Sequence, residues 1–210
     1  MRELTENTLH ILIHELKNPI TIIRGYSDLL PDSDEKEIEE YSKIIARETD
    51  YVSFLINNIS TLNKLEENIP IVICKESVDI KDIIESLVYI YEKKNKNITW
   101  QREYEFSKVQ TDLSLIKIIL FNIIENAFKY TEKGAVSIKT YNNKISVKDT
   151  GCGIEKDKLQ NITDLYFRAN DQIPGTGIGL FIVNTVCQKI NINLEIKSEK
   201  NIGTEIILSF

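Results

Sequence analysis

The chain has 210 residues, of which 42% are hydrophobic and 28% charged, and its net charge is −6. This composition is typical of a folded globular protein. It disfavours nucleic-acid binding, because no basic stripe is present. The three cysteines form no CxxC pair, which argues against a disulfide framework or a zinc site. No apolar run reaches the roughly 18 residues of a membrane helix, and the N-terminus does not resemble a signal peptide. We therefore expect a cytoplasmic chain without membrane contact of its own; the cytoplasmic portion of a membrane-anchored protein is the alternative.

Residues 1–67 are predicted to form two helices. Apolar residues recur at steps of three and four, first at Leu9, Ile13, Leu16, Ile20, Ile23 and Leu30, then at Ile38, Tyr41, Ile45, Val52, Leu55, Ile59 and Leu62. Between these seams, Pro31 and the run Asp32-Ser33-Asp34-Glu35 predict a turn and a helix capping box, while Glu48 interrupts the second seam.

Two such helices form an antiparallel hairpin that leaves apolar surface exposed. A dimeric four-helix bundle made from two hairpins would cover this surface. Packing of the hairpin on the rest of its own chain is the alternative.

A second domain is predicted over residues 68–210, after a hinge around Pro70. Strands are expected at Ile71–Cys74, Ile98–Tyr104, Ala135–Tyr141, Ile145–Lys148, Leu194–Lys197 and Thr204–Phe210, and helices at Ile80–Lys93, Leu113–Tyr130 and Gly177–Ile190. Asn142-Asn143 is suited to a tight hairpin turn, because Asn tolerates positive φ. Adjacent antiparallel strands predict an α/β domain with a mixed sheet and argue against a Rossmann fold.

His14 is a candidate nucleophile on the first helix. It lies one position past Ile13 of the seam, so we expect it to face solvent. Glu15 could accept its second ring proton and keep the attacking nitrogen unprotonated. Pro19 removes the helical hydrogen bond to the Glu15 carbonyl and loosens the helix beside His14. Taken alone, an exposed helical histidine is more often an ordinary surface residue.

Three clusters in the second domain could bind a ligand. Asn122, Asn126 and Lys129 share one helical face, where amides and an ammonium could meet phosphate and metal. Asp149 closes a strand and is followed by glycines that allow close approach of a ligand. The glycine-rich run Gly175–Gly179 precedes an amphipathic helix, whose N-terminus can bind an anion.

These segments resemble, in order, the motifs of the bacterial two-component sensor histidine kinases. His14-Glu15-Leu16-Lys17-Asn18-Pro19 is similar to the H-box, and Asn122 to Thr131 to the N-box. Asp149-Thr150-Gly151-Cys152-Gly153-Ile154 is similar to the G1 box, Leu165-Tyr166-Phe167-Arg168 to the F-box, and Gly175-Thr176-Gly177-Ile178-Gly179-Leu180 to the G2 box.

The resemblance implies a dimeric catalytic core that uses Mg-ATP to phosphorylate His14 and passes the phosphoryl group to an aspartate of a response-regulator receiver domain. It implies a Bergerat-type ATP-binding domain, Glu15 as base, Asn126 as Mg²⁺ ligand, Asp149 as the acceptor of the adenine amino group and Arg168 as a γ-phosphate clamp. The remaining ATP contacts it implies are Asn122, Lys129, Tyr130, Gly151, Gly153, Ile154, Gly175, Thr176, Gly177, Gly179 and Leu180. Residues 161–174 would form a lid over ATP, and Asn18 with Glu15 fits a pattern for phosphatase activity towards the regulator.

Two other functions remain open: an ATPase of the wider superfamily that includes gyrase and Hsp90, and an ATP-binding dimerisation module without catalysis. In the hydrolytic relatives, a glutamate that activates water lies four residues before the metal-binding Asn. This chain has Asn122 there, and an amide cannot take that proton. The residue therefore favours phosphoryl transfer to His14.

Overall fold

The computed structural model describes residues 6–66, 72–92, 97–170, 172–173 and 176–210. The chain divides into two compact units, residues 1–70 and 71–210. The predicted boundary between residues 67 and 68 falls in a segment outside the described residues and stays a prediction.

The first unit contains two long helices, α1 (Glu6–Leu29) and α2 (Glu35–Glu66), joined through a short 3-10 helix at Leu30–Asp32. The predicted capping box is present at Asp34, whose Oδ1 accepts hydrogen bonds from the backbone N–H groups of Lys36 and Glu37, both at 2.9 Å. The Glu37 side chain in turn accepts a hydrogen bond from the Asp34 N–H at 3.0 Å. Between the helices, the Tyr26 and Tyr41 rings pack with centroids 5.1 Å apart, as expected for an antiparallel hairpin.

The second unit is a two-layer α/β sandwich. Its strands are β1 (Glu76–Asp79), β2 (Ile98–Tyr104), β3 (Lys108–Thr111), β4 (Gly134–Tyr141), β5 (Lys144–Asp149), β6 (Asn193–Glu199) and β7 (Gly203–Ser209), and its helices are α3 (Ile80–Glu92), α4 (Leu113–Lys129), α5 (Lys156–Leu159) and α6 (Gly179–Ile190).

Five of these strands form a mixed sheet in the order β2-β4-β5-β7-β6, in which only the β2–β4 pair is parallel. β1 and β3 form a separate antiparallel pair. α3, α4 and α6 pack on the large sheet, and fully buried side chains such as Ile123, Ile138 and Ile182 fill the space between the layers. The predicted mixed α/β fold is confirmed.

Local sequence explains most of these elements. Asn142 and Asn143 have φ of 46° and 61°, which is the conformation of a two-residue hairpin turn. Asp112 caps α4, because its Oδ1 accepts from the N–H groups of Ser114 at 3.0 Å and Leu115 at 3.1 Å.

One predicted strand is wrong. Residues 72–75 form no strand, and residue 71 lies outside the described part of the chain. The physical reason is a competing acceptor: the Cys74 N–H donates to Asp112 Oδ2 at 2.8 Å instead of entering a sheet ladder. The strand begins two residues later, at Glu76, where β1 pairs with β3.

Candidate functional site

Asp149 lies at the end of β5 and is only 6% exposed. Its Oδ1 accepts hydrogen bonds from the backbone N–H groups of Gly151 at 2.8 Å and Thr204 at 3.2 Å. Both of these bonds end on Oδ1 rather than on Oδ2. Burial raises the pKa of the carboxyl above its usual value, and the two backbone donors oppose that rise.

Close backbone packing surrounds this carboxylate. A Cβ added at Gly151 would lie 2.1 Å from the Tyr130 carbonyl oxygen. Gly153 has φ of +61°, and a Cβ there would lie 1.9 Å from the Glu199 carbonyl oxygen. Glycine is therefore required at both positions, the second for its conformation as well. The end of α4, the loop after β5 and the β6–β7 turn thus meet at Asp149.

Asn122, Asn126 and Lys129 share one face of α4 but differ in exposure. Asn122 is buried, at 3% exposure, and its Nδ2 donates to the Ile118 carbonyl at 2.8 Å. A Cβ added at Gly179 would lie 2.8 Å from Asn122 Oδ1, so the start of α6 packs against this amide. Asn126 and Lys129 are half-buried. The structure therefore brings the N-box and G2 segments together at Asn122.

At the end of α4, Tyr130 is half-buried and forms the C-cap. The Lys129 ammonium lies 5.9 Å from the centroid of its ring. Cys152 donates its backbone N–H to the Tyr130 carbonyl at 3.1 Å. The backbone of Tyr130 therefore holds the G1 segment, of which Ile154 is the half-buried last residue.

The G2 segment leads into α6. Gly175 lies outside the described residues. Thr176 Oγ1 accepts from the Ile178 N–H at 3.3 Å, and Gly177 has φ of +70°. Among the described residues, no side chain caps α6 at Ile178. The N–H groups of its first turn, at Gly179 and the half-buried Leu180, therefore suit an anion.

The predicted lid is a folded loop over its described residues. Tyr166 has φ of +67°, and its N–H donates to the Gly177 carbonyl at 3.1 Å, which closes the base of the loop. Arg168 Nη2 donates to the Ile173 carbonyl at 2.7 Å. Lys158, which the sequence did not single out, donates from Nζ to the Ala169 carbonyl at 2.9 Å. Two cations thus hold the loop, and the phosphate contact of Arg168 stays a prediction.

The first unit carries the second group of candidate residues. His14 and Glu15 lie on α1, and their side chains lie outside the described part of the structure. Asn18 is exposed one turn further on, and Pro19 is buried inside the helix. Glu48, identified in the sequence only as a break in the seam, is 6% exposed, and its Oε1 lies 3.1 Å from Arg47 Nη2.

The described ranges contain no helix long and apolar enough to cross a membrane. The same residues contain no group of three or more His, Cys, Asp or Glu side chains that could hold a metal ion.

Two family models match the chain, one for each unit. Residues 6–68 match the His Kinase A (phospho-acceptor) domain. Residues 111–210 match the histidine kinase-, DNA gyrase B-, and HSP90-like ATPase domain. This pair, in this order, decides the family. The chain belongs to the bacterial two-component sensor histidine kinases. The predicted family is thereby confirmed.

Curated relatives of this histidine kinase chain match over nearly its whole length. Sensor histidine kinase YkoH of Bacillus subtilis is 29% identical over 94% of the chain and 45% of the relative. Sensor protein SrrB of Staphylococcus aureus is 25% identical over 93% of the chain and 36% of the relative. The chain therefore spans less than half the length of these relatives.

Solved histidine kinases share the fold. Acinetobacter baumannii AdeS aligns with a TM-score of 0.60 at 20% identity, covering 93% of this chain and 97% of that one. ShkA in complex with AMPPNP aligns with a TM-score of 0.62 at 20% identity over 97% of this chain and 45% of that one. ThkA in complex with the response regulator protein TrrA aligns at 0.57 and 23% identity over 98% of this chain and 60% of that one.

Proposed function

We propose that this chain is the catalytic core of a sensor histidine kinase that transfers the γ-phosphoryl group of ATP to His14 and then to an aspartate of a response-regulator receiver domain. The observation that carries the proposal is Asp149. It is a buried carboxylate with one oxygen held by two backbone donors and the other placed for a ligand donor, in a chain whose first unit matches a phospho-acceptor domain.

Asp149 is suited to recognise adenine. Its Oδ2 accepts a hydrogen bond from the exocyclic amino group, whereas guanine presents a carbonyl oxygen at the same position, which an ionised carboxylate cannot contact favourably. The backbone donors from Gly151 and Thr204 favour the charged form of the carboxyl despite its burial. The pocket therefore selects ATP by the direction of one hydrogen bond.

The phosphates extend towards the start of α6. The N–H groups there and the helix dipole attract the polyphosphate. Lys129 and Tyr130 contribute contacts from the end of α4. Arg168 gives up its hydrogen bond to the Ile173 carbonyl and contacts the γ-phosphate instead. Lid closure and phosphate binding therefore occur together.

Asn126 is the proposed Mg²⁺ ligand. Its amide oxygen is a hard donor, and Mg²⁺ in nucleotide sites typically keeps few protein ligands beside phosphate oxygens and water. When bound, the ion offsets negative charge on the phosphates.

Transfer of the γ-phosphoryl group to His14 needs no reactant other than ATP. A ring nitrogen of His14 attacks the γ-phosphorus, a P–N bond forms, the bond to the bridging oxygen breaks, and ADP leaves with that electron pair. Glu15 accepts the proton from the other ring nitrogen. Asn122, unlike a glutamate, cannot activate water in competition. His14 and the nucleotide site belong to different units, so they must meet during turnover.

The hairpin supports a homodimer. Seam residues Ile13, Ile20 and Ile38 are 55%, 51% and 41% exposed in the single chain, and apolar side chains repeated in this way are covered when two hairpins form a four-helix bundle. We also propose a response regulator as the partner of this chain, because the similar ThkA was solved in complex with the response regulator protein TrrA.

Phosphatase activity towards the phosphorylated regulator is a second proposed activity. The exposed Asn18 amide lies one helical turn from His14 and could orient a water on the regulator's phosphoryl group. We expect Asn18→Ala to slow regulator dephosphorylation while autophosphorylation continues. Unchanged dephosphorylation in this variant would rule the proposal out.

Incubation with γ-labelled ATP and Mg²⁺ separates the three functions. A kinase gives acid-labile, alkali-stable label on the protein, and the label disappears in His14→Gln. An ATPase gives free phosphate and an unlabelled protein. A silent module binds ATP and gives neither product.

A further inference from the structure

Ser198, on β6, joins three parts of the nucleotide pocket although it lies in none of the recognised motifs. Its Oγ accepts the backbone N–H of Ile154 at 2.9 Å, across 44 residues of chain. It donates to the Gly203 carbonyl at 2.9 Å. It also lies 2.8 Å from Thr204 Oγ1.

The hydrogen count of these contacts gives each one a direction. A serine hydroxyl has one hydrogen and two acceptor lone pairs. Its hydrogen goes to the Gly203 carbonyl, so the Thr204 hydroxyl must donate to Ser198. The Ser198 hydroxyl then uses its one hydrogen and both of its lone pairs in hydrogen bonds. Alanine here would leave Ile154, Gly203 and Thr204 each without one partner.

These contacts lead directly to Asp149. Thr204, whose side chain bonds Ser198, donates its backbone N–H to Asp149 Oδ1 at 3.2 Å. Gly203, whose carbonyl bonds Ser198, packs so closely that a Cβ there would lie 2.0 Å from the Asp149 carbonyl oxygen. Ile154 belongs to the loop that Asp149 begins. Of the three residues that the Ser198 hydroxyl contacts, Thr204 therefore donates to the carboxylate itself, Gly203 packs on the Asp149 backbone, and Ile154 lies in the loop that follows it.

We propose that Ser198 is a positioning residue for adenine recognition, which fixes the β6–β7 turn and the loop after β5 so that Asp149 presents Oδ2 to the adenine amino group. This role rests on the proposed function, because it assumes that Asp149 binds adenine. Ser198 itself does not contact the nucleotide. Its loss acts through the direction of the carboxylate.

The test compares two nucleotides on the full chain. Equilibrium binding is measured by calorimetry for ATP and for inosine triphosphate, which lacks the amino group. In Ser198→Ala we expect the Kd for ATP to rise about five- to fifty-fold, which lies within the range for leaving a buried hydrogen-bonding group without its partner. The Kd for inosine triphosphate should rise by a smaller factor, so that discrimination between the two nucleotides falls.

Three variants make the result specific. Ser198→Thr keeps the hydroxyl and a strand-compatible side chain, so it should restore ATP affinity to within about threefold. Ser146→Ala removes another hydroxyl of the same sheet, which bonds Glu205 at 2.8 Å, and should leave both affinities unchanged. In an Asp149→Asn background, Ser198→Ala should have little further effect on ATP binding, because residues that act through one another are not additive.

Each outcome supports or overturns the inference. An unchanged Kd for ATP in Ser198→Ala, equal losses for both nucleotides, or additive losses with Asp149→Asn would each contradict it. Those results would leave the kinase proposal standing as long as the wild-type chain binds ATP and labels His14. A wild-type chain that binds neither nucleotide would overturn both proposals.

Discussion

Asp149→Asn tests whether the pocket recognises adenine by hydrogen-bond direction. The substitution preserves shape, and the amide oxygen can still accept from Gly151 and Thr204 at the position of Oδ1. The amide nitrogen then replaces Oδ2 and points a donor at the adenine amino group, which is also a donor. The variant therefore changes one contact with the ligand and preserves those with the protein.

The magnitude follows from the bond that is lost. A hydrogen bond to a charged group contributes about 1.5–3 kcal/mol, which corresponds to about 10- to 150-fold in Kd. Because the two donors also face each other, we expect the upper part of this range. Calorimetric titration with ATP measures it. Asp157→Asn, at an exposed carboxylate a few residues away, is the matched control and should bind ATP as the wild type does.

Asp149→Asn should weaken ATP binding but should not lower the stability of the protein. Burial raises the pKa of Asp149, so its contribution to stability is fully present below the ordinary carboxyl pKa and is lost as pH rises through the raised value. At pH 7 the neutral amide avoids this loss, so Asp149→Asn should unfold at the same urea concentration as wild type or a higher one. ATP affinity within threefold of wild type, or strong destabilisation at pH 7, would refute the reasoning.

Three further predictions concern the folded protein. Gly151→Ala should lower the free energy of unfolding by about 1–3 kcal/mol in urea titrations, because the added Cβ would lie 2.1 Å from a carbonyl oxygen. Gly25→Ala is the control: its Cβ would meet nothing within 4 Å, so it should be neutral or stabilising. Equal losses of stability in the two variants would contradict the close packing at Gly151. Tyr104→Phe removes the 3.0 Å hydrogen bond to Glu85 and should cost about 1 kcal/mol; no change in the urea midpoint would show that this bond contributes nothing. Burial raises the pKa of Cys187 to about 12, so iodoacetamide should modify exposed Cys74 first at pH 8, and Cys187 should react only as pH rises; prompt modification of Cys187 in the folded protein would contradict its burial.

The sequence was most informative where local chemistry decides the structure. Periodicity located α4 and α6 to within about two residues of their observed ends, and the tight turn at Asn142-Asn143 needed only the tolerance of Asn for positive φ. The short strands β1 and β3 were missed, because each has four residues and depends on pairing with the other. The false strand at residues 72–74 arose because its apolar pattern does not reveal the Asp112 carboxylate that binds Cys74.

The site shows the same division. The motifs predicted Asp149 and the glycines around it as site residues, and a helical wheel grouped Asn122 with Asn126 and Lys129. That wheel did not reveal that Gly179 packs over Asn122 and buries it, because the packing joins elements far apart in sequence. Ser198 carried no signal, since an isolated serine in a strand is common and its contact with Ile154 forms only in the folded sheet.

The central claim is that the phosphoryl group of ATP reaches a ring nitrogen of His14. The most direct measurement is to incubate the chain with Mg-ATP, digest it at neutral to alkaline pH and locate the phosphoryl group by electron-transfer mass spectrometry. We expect phosphohistidine at His14, lost on brief acid treatment. ATP consumption with an unmodified His14 peptide, or phosphate on another residue, would contradict it.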